Sequence, residues 1–228
     1  VIRETVLQKM NDTFHLHCKD FEDLKENFDY TDRKNRAEAN AVINSITICD
    51  PGVGSGHFLV SALNEMIAVK RDLNVLCYQN GERVRAYNIN IEDDELIVSD
   101  ENGEVDYHPE DVESNRLQTT LFEEKKDIIE HCLFGVDINP KSSEICQLRL
   151  WIELLKNAYY IKDSHGERQL QTLPNIDINI KTGNSLIMQQ PLDANLNTVL
   201  AGAGLDIDEY RNDVAAYKLS ATKANKHR

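Results

Sequence analysis

The sequence predicts an α/β fold built on a largely parallel, doubly wound sheet. Three observations carry that expectation: short apolar runs ending near Asp50, Asp137 and Asn184, helical stretches between them, and a glycine-rich loop after the first run. A chain of 228 residues favours one large domain, and 41% hydrophobic residues suffice for a core.

Apolar positions Ile2, Val6, Met10 and Phe14 recur every fourth residue and predict an amphipathic helix within residues 1–28. Residues 29–40 are polar and read as a connection. Ile46-Thr47-Ile48-Cys49 is a β-branched strand that runs into Asp50-Pro51-Gly52-Val53-Gly54-Ser55-Gly56. From His57 a helix follows, with Leu59, Leu63, Ile67 and Leu73 near one face. Alternation at Tyr87, Ile89 and Ile91, then at Leu96, Val98, Val105 and Tyr107, predicts an antiparallel meander with a turn at Asn102-Gly103. Residues 111–131 read as helix on Leu117, Leu121, Ile128 and Ile129.

The run Cys132–Asp137 predicts a strand buried on both faces. Pro140 opens the clearest helix, to Tyr160, whose Ile145, Leu148, Ile152 and Leu155 are expected against the sheet, with Glu144, Arg149 and Lys156 outward. A third strand, Asp177–Lys181, leads into Thr182-Gly183-Asn184-Ser185-Leu186, and the polar remainder is expected to turn helical around Asp206–Leu219. The division is thus a helical segment at 1–45, an α/β core at 46–188 with an insertion at 74–131, and a polar extension at 189–228.

Charge excludes some partners. Lys+Arg 25 against Asp+Glu 39 gives a net charge of -14, so phosphate backbones are repelled by the chain as a whole. No apolar run approaches the ~18 residues of a membrane span. Five cysteines without a C-x-x-C pair or a secretory signal read as reduced thiols of a cytoplasmic protein. His15-Leu16-His17-Cys18 lacks a second ligand set, and Asp93, Asp94, Asp100 and Asp106 lack the EF-hand order, so no metal site is expected.

Ligands of an open parallel sheet bind at the carboxyl ends of the strands. Gly52, Gly54 and Gly56 permit a tight turn and a close backbone approach to a ligand. Asp137 can accept two hydrogen bonds from ribose hydroxyls, and Asn184 can accept from an adenine amine. Together they describe a pocket for an adenosine-containing cofactor. The nicotinamide fingerprint fails at His57, the P-loop lysine is absent, and Asp50 would repel a pyrophosphate. S-adenosyl-L-methionine is the better match.

At these residues the chain resembles the N6-adenine DNA methyltransferases of fused type IIG and type I restriction-modification enzymes. Asp50-Pro51-Gly52-Val53-Gly54-Ser55-Gly56-His57-Phe58-Leu59 is similar to their cofactor motif, Leu133–Pro140 to their second motif, and Lys181–Leu186 to their third. The resemblance implies a partial Rossmann-like methyltransferase fold, with a β-meander and helix inserted after the first βα unit. It assigns Asp50 and Gly52 to the cofactor's methionine end, with Pro51, Gly54 and Gly56 in the same cofactor-binding loop. It gives Asp137 the ribose, Ile138 the adenine ring and Asn184 the adenine amine. Ile2-Arg3-Glu4-Thr5 resembles the tail of a preceding motif. Two departures stand out: Gly52-Val53 replaces a frequent Ala-Cys, and Asp50 and Asp137 lie unusually far apart.

The family methylates through an Asn/Asp-Pro-Pro-Tyr/Phe loop, and none of the five prolines here has a proline neighbour. No catalytic residue is therefore assigned. The chain reads as the cofactor half of the domain, inactive by itself, with double-stranded DNA a partner of a longer protein. A non-catalytic scaffold of the same fold and an NAD-dependent oxidoreductase are the alternatives.

Overall fold

The computed structural model describes residues 1–162, 167–187, 195, 202, 204 and 206–219. Three helices come first: α1 (Ile2–Phe14), α2 (Phe21–Asn27) and α3 (Arg33–Asn44). Val6 and Met10 are buried, with Ile2 and Phe14 packed beside the core. The first helix is shorter than the expected span because His15 takes a left-handed conformation (φ 53°) and ends it. Asn11 then clamps the reversal, its side chain bonding both the N–H and the carbonyl of Cys18. Residues 29–40 are not merely a connection. Asp32 caps α3 by accepting from Lys34 N at 2.7 Å, and Ala39 and Ile43 suffice to anchor this polar helix.

Strand β1 (Ile48–Asp50) leads through the glycine loop into α4 (His57–Asp72). Leu59, Leu63 and Ile67 of α4, and Leu73 after it, are buried. The antiparallel meander follows as β2 (Asn88–Glu92), β3 (Glu95–Asp100) and β4 (Gly103–Glu104). Asp93 and Asp94 form its first two-residue turn, both at positive φ (50° and 64°). The next turn is Glu101-Asn102 and not the expected Asn102-Gly103, because Gly103 (φ 125°) already pairs with Asp100, whose side chain accepts from Asn102 N at 2.6 Å.

Helix α5 (Val112–His131), capped by Asp111, buries Leu117, Leu121, Phe122, Ile128 and Ile129. It feeds β5 (Leu133–Asp137), then α6 (Pro140–Leu155), a hairpin of β6 (Tyr160–Lys162) and β7 (Arg168–Leu170), and β8 (Ile180–Thr182). The hairpin was not expected. The predicted third strand starts late because Asp177–Asn179 form a turn. There the buried Asn179 amide donates to the carbonyls of Ile129, Glu130 and Leu133, satisfying acceptors where α5 ends and β5 begins. Helix α7 (Ile207–Leu219) falls where the helical extension was expected. Residues 189–194, 196–201, 203, 205 and 220–228 of the expected extension lie outside the described residues.

The result is a mixed α/β chain whose main sheet is parallel, in the order β1-β5-β8. That order aligns three strand ends at one edge. Two further expectations need correction. The strand β5 is not buried on both faces, since Phe134 and Val136 are only half-buried and Cys49 beside them is exposed. The helix α6 presents a different face from the expected one. Ile145, Leu148, Ile152 and Leu155 are 44–55% exposed, whereas Cys146, Leu150 and Leu154 are fully buried. This helix carries two apolar stripes, and periodicity alone does not say which one meets the sheet. Trp151 is half-buried beside the core, donating from Nε1 to Pro174 O at 3.0 Å.

Candidate functional site

Parallel pairing of Asp50 with Gly135, and of Asp137 with Thr182, brings the three predicted site segments side by side. The glycine loop is shaped by its own backbone. Asp50 Oδ1 accepts from Gly52 N at 3.0 Å, and Gly54 (φ 53°) and Gly56 (φ 80°) take left-handed conformations that side chains rarely adopt. Gly56 caps α4 and lies so close to α6 that a Cβ would sit 2.6 Å from Cys146 Sγ. Gly52 has nothing within 4 Å of its Cβ position, so this part of the loop is open to a ligand.

Asp137 is the hub. Its Oδ2 accepts from Gly54 N at 2.9 Å and its Oδ1 from Asn139 N at 2.8 Å, tying the loop after β1 to the loop after β5. Hydrogen bonds from the Asn139 and Gly54 backbones hold its carboxyl below the usual carboxylate range, so it is ionised at neutral pH. The Ser142 side chain donates to the same carboxyl, and since a carboxylate offers about four acceptor positions, acceptor capacity remains for a ligand. The adjacent backbone is fixed as well, with Val53 N donating to Val136 O at 2.9 Å and Gly183 N to Asp137 O at 2.9 Å.

Asn184 follows β8 and accepts from Leu186 N through Oδ1 at 3.0 Å, which orients its side chain within the turn. The next residue, Ser185, donates to Pro51 O at 2.8 Å and closes the third segment onto the first. Ile138 (71% exposed) and Leu186 (91% exposed) flank these polar groups, an apolar rim suited to a flat ring. Among the described residues, no group of three or more His, Cys, Asp or Glu could hold a metal ion.

Sequence reasoning missed two supports. Ser185 was read only as part of a motif. Asp94, at the meander's first turn, meets the first two turns of α4: His57 Nε2 lies 3.2 Å from its carboxylate, Ser61 donates to it, and buried Asn64 donates to its carbonyl at 2.7 Å. A polar residue at 64 on an otherwise apolar helix face was the readable signal.

With this geometry in view, residues 29–190 match the family described as MmeI, DNA-methyltransferase domain. The chain belongs to that family. A protein of Methanocaldococcus jannaschii, described as a type II restriction enzyme and methyltransferase, is 32% identical over 145 residues. That alignment covers 64% of this chain and 9% of the relative, so the chain matches about a tenth of the relative's length. No solved structure matches. Among the described residues of this MmeI-family chain, no helix is long and apolar enough to cross a membrane.

Proposed function

We propose that this MmeI-family chain is the S-adenosylmethionine-binding half of a Rossmann-like, adenine-N6-specific DNA methyltransferase of a restriction-modification enzyme. The observation that carries the reading is Asp137. A carboxylate ends the central strand, has its charged form favoured by the Asn139 and Gly54 backbones and by Ser142, bridges to the glycine loop, and keeps acceptor capacity free. In this reading Asp137 accepts from the ribose hydroxyls while Ile138 packs on the adenine and Asn184 faces its amine. Asp50 meets the cofactor's amino group through the oxygen not committed to Gly52, and the open Gly52 surface admits the methionine end close to the backbone. The cofactor, when bound, supplies an electrophilic methyl group on its sulfonium. The five cysteines are free, in keeping with a cytoplasmic protein.

Methyl transfer needs a polar group to hold the flipped adenine amine, and no Pro-Pro-aromatic loop occurs in this sequence. The chain alone therefore binds cofactor without turnover, and DNA is the partner of the longer enzyme. Calorimetry with S-adenosylmethionine and with NAD tests the first half: binding of the former and not the latter is expected, and the reverse would sink the proposal. Incubation with tritiated cofactor and duplex DNA tests the second, with no label in N6-methyladenine expected.

A further inference from the structure

The chain's arginines are unevenly placed for so acidic a molecule. Arg33 and Arg36 at the start of α3, Arg83 and Arg85 between α4 and β2, and Arg116 on α5 line one open concavity of about 650 Å³. Two carboxylates, Glu82 and Glu113, share its wall. The resulting local excess of positive charge sits on a chain of net charge -14. The concavity shares no residue with the strand-end site.

Three of the guanidinium groups are fixed. Arg36 donates to the carbonyls of Tyr30 and Thr31, both at 2.8 Å, and to Gly81 O at 3.1 Å. Arg83 lies over the Tyr30 ring at 4.5 Å and Arg116 over the Tyr78 ring at 3.8 Å. Arg116 is also paired with Glu82. The other two are uncommitted. Among the described residues, neither the Arg33 nor the Arg85 side chain makes a hydrogen bond or ion pair. Arg33 is nevertheless held in place, because its guanidinium packs over Gly81, where a Cβ would lie 2.6 Å from Nε.

Clustered cations repel one another unless an anion joins them, and a guanidinium fork matches a phosphate's oxygens in pairs. We propose that this concavity takes backbone phosphates of duplex DNA, with Arg33 and Arg85 making the direct contacts. The stacked Arg83, which also donates to Asn74, adds a fixed positive charge beside them, while Arg116 neutralises Glu82 and Glu113. This inference rests on the reading of the chain as part of a DNA methyltransferase, and it adds a second contact surface that orients the duplex. The acidic remainder of the molecule repels phosphate, so DNA approaches productively from this side.

Fluorescence anisotropy of a short labelled duplex with the whole chain, over a salt series, tests it. Binding that weakens with salt is expected. The Arg33→Gln/Arg85→Gln variant should lose at least about tenfold in affinity, and its salt slope should drop by roughly 1.8, the value for two lost phosphate contacts. Arg85→Glu, at an exposed side chain, should weaken binding without unfolding, and Arg211→Gln on α7 should change nothing. An affinity unchanged in the double variant, or no duplex binding by the wild type at low salt, would overturn the proposal. Saturable binding of inorganic pyrophosphate without duplex binding would assign the cavity to small anions and overturn it too. Calorimetry with S-adenosylmethionine on the same variants should stay at wild-type affinity. A wild type that binds DNA through these arginines but no cofactor would defeat the functional reading and leave this one standing.

Discussion

Two glycines in one loop do different work, and substitution separates them. Gly56→Ala puts a side chain into a left-handed conformation and against Cys146, so a loss of more than about 2 kcal/mol is expected in urea unfolding. Gly52→Ala meets nothing and should leave stability within about 0.5 kcal/mol, while its effect, if the cofactor reading holds, falls on calorimetric affinity. On the proposed reading, Asp137→Ala removes charge-assisted hydrogen bonds to the ribose worth about 1.5–3 kcal/mol each, so S-adenosylmethionine should bind about ten- to a hundredfold more weakly, or more. Unchanged cofactor affinity in that variant would exclude Asp137 from the site. The residues were legible because strand-terminal carboxylates and glycines stand out against apolar runs. The bonds among them were not. Nothing in the sequence says that Gly54 N meets Asp137, or that Ser185 reaches back to Pro51.

At the scale of elements, strands bounded by turn residues were readable and helix faces were less so. The strand β5 was placed to within a residue because its apolar run is short and ends sharply. The helix α3 escaped notice because only Ala39 and Ile43 of its 12 residues are buried, and its cap at Asp32 was the better signal. The helix α6 was found but turned the wrong way, since both of its sides are apolar. The corrected orientation is testable. Leu150→Ala should cost about 2–5 kcal/mol, whereas Leu148→Ala, at 55% exposure, should cost under about 0.5 kcal/mol. Equal losses from the two substitutions in denaturant unfolding would contradict the observed face.

The whole molecule carries buried charge that couples its stability to pH. Lys125 on α5 is 1% exposed and lies 3.6 Å from Glu153 on α6; burial, partly offset by Glu153, lowers its pKa to about 8. Its folded value lies below its unfolded one, so the unfolded chain binds more protons above about pH 8, and this pair's contribution to stability rises with pH there. Burial pushes the Cys132 and Cys146 thiols the other way, to about 11, so their contribution falls as pH climbs from about 9. A stability gain of at most about 1.4 kcal/mol is therefore expected between about pH 8 and 9, followed by a decline. In Lys125→Met/Glu153→Met the gain should vanish; its persistence in urea midpoints would assign it elsewhere.

The crossover that joins β1 to β5 also sets a schedule for synthesis. Ile48 pairs with Leu133, and the bond from Gly54 to Asp137 spans 83 residues. A ribosome adding about 5–20 residues each second makes the nascent glycine loop wait roughly 4–17 seconds for its anchoring carboxylate. During that interval β1 has no strand partner, and α4 is the helix already made that packs on it. Helix α4, which contacts α1 and α3 as well as β1, thus acts as a shelter in time for the loop until the central strand emerges.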